Sequence, residues 1–159
     1  MQLIKNPLSS LAALVIVASV VAYYGNVYFR SSTTESTVAS NQEVSEEETK
    51  DTLIRNLELE VINLNNSLPK IIDDDTRVDS ISVEPGPRLV TKYTYTSFST
   101  EEFDSEIFNK KVKKNIKKGI CDNDEILKRM KLGLVYSYDF FGNDGIKLAT
   151  AEFDINDCL

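Results

Sequence analysis

Four groups of residues in this 159-residue chain have types and spacings that could do chemistry: an acidic run, a lysine cluster, two tyrosine pairs and two cysteines. Asp73-Asp74-Asp75-Thr76 offers oxygen ligands of the kind Ca²⁺ or Mg²⁺ takes. It lacks the D-x-[DN]-x-[DN]-G spacing and a distal bidentate Glu, so it reads as a solvated turn and no metal ligand is assigned. Asn143-Asp144-Gly145 fails the same test, because Gly142 and Phe140 stand two and four positions before Asp144. It reads as a hairpin turn. The stretch KKVKKNIKK over 110–118 is the one basic cluster. Its Lys110, Lys111, Lys114 and Lys118 are candidate contacts for anionic lipid, phosphate-bearing polymer or an acidic partner. The competing use of the cluster is a solvated helix end that satisfies the helix dipole.

Tyr93/Tyr95 and Tyr136/Tyr138 are each spaced i, i+2, which puts both rings of a pair on one side of a strand. They form either an aromatic platform for a partner or cross-strand packing beneath helices. If their face is open, it is the best candidate for a protein or peptide contact. Cys121 and Cys158 lack a CxxC partner and a His, so the reading is a disulfide that pins the C-terminal strand to the helical layer. Redox-active or metal-binding thiols are the lesser reading.

Other chemistry is excluded by composition. The chain has no His, which removes the commonest general base and zinc ligand and with them any Ser-His-Asp or Cys-His mechanism. There is no Gly-rich phosphate loop and no G-x-S-x-G. No cofactor is expected. The net charge of −7 argues against a nucleic-acid partner.

The charge is unevenly placed. Lys5 and Arg30 are the only charged side chains in residues 1–30, so residues 31–159 carry a net −9. Residues 8–29 contain no charge at all. As a helix they would measure about 33 Å, enough to cross a hydrocarbon core of about 30 Å. Tyr23, Tyr24 and Tyr28 cluster at one end, where aromatic rings favour the headgroup level. The expected organisation is a cytoplasmic tail over 1–7, a transmembrane helix over 8–29, a flexible acidic linker over 30–50 and a periplasmic domain over 51–159. The rival is a signal peptide cleaved after Val20-Val21-Ala22. With the anchor in place both cysteines lie in an oxidising compartment.

Within 51–159, Ile54, Leu57, Val61, Leu64 and Leu68 follow helical 3,4 spacing, which predicts a helix stopped by Pro69 and packed on a sheet rather than in a coiled coil. Residues 78–83 and 89–98 read as strands joined through Glu84-Pro85-Gly86-Pro87, with Pro and Gly where a type II turn needs them. Ser99 to Glu102 is a capping box that opens a lysine-ended helix closed by Gly119. Asp122 to Glu125 is a second capping box, before a short helix to about Met130. Residues 134–141 and 146–155 form the last hairpin. The expected fold is α+β, a two-layer α-β-β-α-α-β-β domain with an antiparallel sheet.

The stretch LPKIIDDDTRVDSISVEPGPRLVTKYTYT, then GLVYSYDFFGNDG and a penultimate Cys, resembles small bacterial extracytoplasmic domains to which no activity is attached. The likeness rests on Leu68-Pro69, Ile72-Asp73, Thr76-Arg77, the Tyr93/Tyr95 strand and the Gly133, Gly145, Cys158 layout. It implies an envelope location and carries over no catalytic residue. The reading that follows is a single-pass bacterial inner-membrane protein, held in lipid by residues 8–29. Its periplasmic domain is a non-catalytic module for a protein partner in the envelope. Two alternatives remain at this point. One is a prophage- or plasmid-encoded exclusion or immunity factor. The other is an envelope hydrolase using acids around Asp73–Asp75, which would need those carboxylates to converge in a cleft.

Overall fold

The computed structural model describes residues 49–159, which form a five-stranded sheet with helices on one face. The predicted transmembrane segment and most of the predicted linker lie outside the described residues. No helix among the described residues is long and apolar enough to cross a membrane.

Helix α1 spans Lys50–Asn65 and is capped by the Thr49 hydroxyl, which accepts from the Thr52 N–H. Its buried row is Leu53, Leu57 and Val61, packed on the sheet as expected. Leu53 heads that row where Ile54 was expected: the buried residues keep a spacing of four, and Ile54 is left half-buried at the edge of the face. The helix stops at Asn65, four residues before Pro69. From that last position the Asn65 side chain acts as a sheet partner: its amide nitrogen donates to the Ile81 carbonyl at 2.7 Å and its oxygen accepts from the Ile81 N–H at 3.0 Å.

Strand β1 (Lys70–Ile71), strand β2 (Thr76–Glu84) and strand β3 (Arg88–Tyr95) form an antiparallel meander. The β2–β3 turn contains Pro85-Gly86, and Gly86 has φ +95°, a conformation that a side chain would strain. The Ser99 capping box exists, but it opens a 3₁₀ turn at Thr100–Glu102. The long helix α2, residues 105–121, starts one turn later. Asp104 caps it, accepting from the N–H groups of Glu106 and Ile107. A π-helical stretch at Phe108–Lys113 joins its two α-helical parts. Gly119 does not end it. The helix runs on to Cys121, because Ile116 and Ile120 are both buried on one face and outweigh a glycine cost of about 1 kcal/mol. Helix α3 spans Asp124–Lys131, and its cap is Asn123 rather than Asp122.

Strands β4 (Val135–Phe141) and β5 (Lys147–Phe153) form the last hairpin, and a 3₁₀ turn at Ile155–Cys158 follows. The sheet order is β1-β2-β3-β4-β5, and β3 pairs with β4 in parallel. The sheet is therefore mixed, not antiparallel throughout. The crossover through α2 and α3 returns the chain to the starting end of β3, so the next strand must run alongside it.

Strand alternation divides the sheet into two faces. Leu89, Tyr93, Tyr95, Tyr136, Tyr138, Phe140, Ala151 and Phe153 point toward the helices and join one core with Leu57, Phe108, Ile120, Met130 and Leu134. The centre is aromatic. Phe140 lies 5.4 Å from Tyr93, 5.8 Å from Tyr95 and 5.0 Å from Phe108, centroid to centroid. The opposite face carries Arg88, Lys92, Asp139, Thr150 and Glu152 and has no helical layer among the described residues.

Candidate functional site

The acidic turn does not gather its carboxylates. One Asp73 oxygen accepts from the Asp75 N–H, and an Asp75 oxygen accepts from the Ser97 hydroxyl at 2.5 Å. Among the described residues no three acidic or thiol groups are arranged to hold a metal ion. The convergent cleft needed by a hydrolase at Asp73–Asp75 is not formed there.

The four tyrosines are core residues. Tyr93, Tyr95, Tyr136 and Tyr138 are 1%, 6%, 2% and 2% exposed. The helices cover their face, so they present no open platform to a partner. Burial pushes the Tyr136 hydroxyl up to about 12, with Arg129 pulling the other way, and also raises Tyr93, Tyr95 and Tyr138. Cys121 and Cys158 are bonded to each other, with Cα atoms 5.3 Å apart, and tie the end of α2 to the 3₁₀ turn after β5.

The lysines remain at the surface. Lys110, Lys111, Lys114 and Lys118 are exposed on α2. Lys110 pairs with Glu106 and Lys118 with Asp122, each one helical turn away. Lys113 is half-buried, and its ammonium lies 6.0 Å from the centre of the Phe153 ring.

The largest organised set of charges is on the open face of the sheet, and the sequence reading missed it. A groove of about 320 Å³ runs over β3, β4 and β5, with Val90 and Ser137 in its floor. Arg88 spans the groove, with one nitrogen 2.7 Å from Glu84 and another 2.9 Å from Glu152. Asp139 takes the Lys147 ammonium at 2.8 Å and the Thr150 hydroxyl at 2.6 Å. Lys92, opposite Asp139 in the β3–β4 register, is exposed and has no ion pair among the described residues. The sequence did hold a signal: Asp139 is the only charge in VYSYDFF, a strand with four aromatic residues. Arg88, Glu84, Glu152, Asp139, Lys147 and Thr150 are paired with one another, so no carboxylate of the groove stands free as a general base. The groove lining is polar and charged, unlike the mostly apolar walls of small-molecule pockets.

Two carboxylates are held low by their partners. At Asp139 burial pushes the carboxyl up, but Lys147 and Thr150 outweigh it and leave the group below the ordinary range. Asp144 is lowered by the N–H of Thr100, then that of Ile146, then the Thr100 hydroxyl. This latch joins the β4–β5 turn to the loop after β3. It also needs Gly142, where a Cβ would sit 3.3 Å from both the Ser99 Cα and the Thr100 nitrogen. Both acids bind a proton less readily folded than unfolded. Their contribution is therefore complete above an unfolded pKa of about 4 and is lost as pH falls toward the folded values. Urea midpoints are expected to fall from pH 6 to pH 3. A variant carrying both D139N and D144N should show a flatter dependence over that window.

No family model and no curated protein sequence matches the chain. Solved structures do match in fold. A candidate secreted protein of Pseudomonas aeruginosa aligns over 75% of this chain and all of its own, with 18% identity and a TM-score of 0.57. The pilotin EpsS of the Vibrio vulnificus type 2 secretion system aligns over 69% of this chain and 96% of its own, with 14% identity and a TM-score of 0.54. The Vibrio cholerae pilotin AspS is more distant, with 18% identity, coverage of 65% and 94%, and a TM-score of 0.47. At these identities the likeness is one of fold: the α+β domain described above is shared with small secreted and secretion-system proteins.

Proposed function

We propose that this chain is a bacterial inner-membrane protein anchored by residues 8–29, with residues 51–159 held in the periplasm as a non-catalytic protein-interaction module. The observation that carries the reading is the open sheet face, where paired charges surround an exposed Lys92 and no helix among the described residues intervenes. Interfaces lined this way gain specificity and association rate from complementary charge. The Cys121–Cys158 bond supports an oxidising compartment. The shared fold with a candidate secreted protein and a secretion-system pilotin supports the same setting.

In-cell photocrosslinking tests the reading. A photoreactive residue at Lys92 in the full-length chain should capture a defined envelope protein, while one at exposed Glu58 on α1 should not. Recovery of only abundant envelope proteins, equally from both positions, would overturn it. A C-terminal phosphatase fusion should be active, and a well-expressed but inactive fusion would refute the periplasmic placement.

A further inference from the structure

The two edges of the sheet are treated differently. On one side, β1 covers Arg77 and Val78 of β2, and the Asn65 side chain satisfies both backbone groups of Ile81. On the other, β5 is the last strand. Among the described residues, no backbone bond from outside its pairing with β4 reaches 147–153. An edge strand of this length with free backbone groups is a template for another strand.

The helix side of that edge carries lysines, while Glu152 of β5 pairs with Arg88 on the open face and Asp154 and Asp157 are taken up in capping the 3₁₀ turn. Lys113, Lys117 and Cys121 stand at i, i+4 and i+8 on α2, so they share one flank of the helix. The first lies over Phe153 of β5, and the last is bonded to Cys158 just beyond β5. The flank therefore faces the β5 side of the domain. Neither Lys113 nor Lys117 has a carboxylate partner among the described residues. From this juxtaposition we infer that the β5 edge is a docking site for an acidic, extended segment of a partner protein, which adds to the sheet as a sixth strand. Main-chain bonds to β5 would supply the registry, and acidic side chains on the helix side would meet Lys113 and Lys117. This inference deepens the interaction-module reading and rests on it for its physiological setting.

The test uses the full-length chain in detergent solution. The probe is a fluorescent seven-residue peptide alternating glutamate with valine and threonine, and the control has lysine in place of each glutamate. The acidic peptide should bind and the basic one should not. Binding should slow amide hydrogen exchange across 147–153, and the K113E/K117E double variant should weaken it by about tenfold or more. Binding without protection of β5 would overturn the inference. So would equal binding of the two peptides. So would a lysine flank that attracts phosphatidylglycerol vesicles but no peptide. If Lys92 captures a partner in cells while β5 stays unprotected, the edge assignment falls and the module reading stands. If the peptide protects β5 but no partner is captured, the edge assignment stands and the envelope reading falls.

Discussion

Serine at both Cys121 and Cys158 is expected to lower the unfolding free energy by about 4 kcal/mol, by the loop-entropy relation for a closure of this length. The bonded residues are 37 apart in sequence. The loss should act mainly on the unfolded chain, which regains the freedom the bond removed. With a urea slope of about 1.5 kcal/mol/M, the midpoint should drop by roughly 2–3 M. Reductant added to the unmodified protein should give the same drop and leave the double serine variant unchanged. A shift below about 0.5 M would mean that the unfolded chain stays compact around α2 even without the bond.

The second large effect belongs to Phe140. It is 1% exposed and its ring touches those of Tyr93, Tyr95 and Phe108, which come from β3 and α2. Truncation to alanine leaves a cavity between the two layers and is expected to cost about 3–5 kcal/mol. F140L should cost much less, because it keeps most of the volume. Both are read from urea midpoints, with near-ultraviolet circular dichroism reporting the packing of the surrounding tyrosines. Equal losses for F140A and F140L would show that ring geometry rather than filled volume is what matters at that position.

Local features were the legible part of this fold. The 3,4 spacing around Leu57 and Val61 marked α1, and Pro85-Gly86 and Gly142–Gly145 marked the two hairpin turns. An even cysteine count in a presumed oxidising compartment marked the bond. Each of these signals is complete within a few residues or rests on composition alone. The parallel pairing of β3 with β4 was not legible, because it depends on where a crossover of some forty residues delivers the chain. The extent of α2 was hidden for a related reason. Gly119 looks like a stop until Ile120 is known to be buried, and burial is a tertiary fact. The tyrosine pairs show the limit of alternation. A period of two says that Tyr93 and Tyr95 share a face, but not which face the helices cover. The candidate site was missed because its charges come from four strands, and none of those strands carries enough charge to attract notice alone.

The parallel contact between β3 and β4 also governs when the domain can exist. Arg88 and Val135 lie 47 residues apart in sequence yet are neighbours in the middle of the sheet. The hairpin of β2 and β3 can form early and pack on α1, but Tyr93 and Tyr95 lack Phe140 until β4 arrives, and β4 begins only at Val135. A chain emerging from a ribosome or a translocation channel therefore lacks the centre of its core until β4 and β5 are through. Cys158 follows β5 in the chain, so the bond to Cys121 cannot form before the last strand has been delivered.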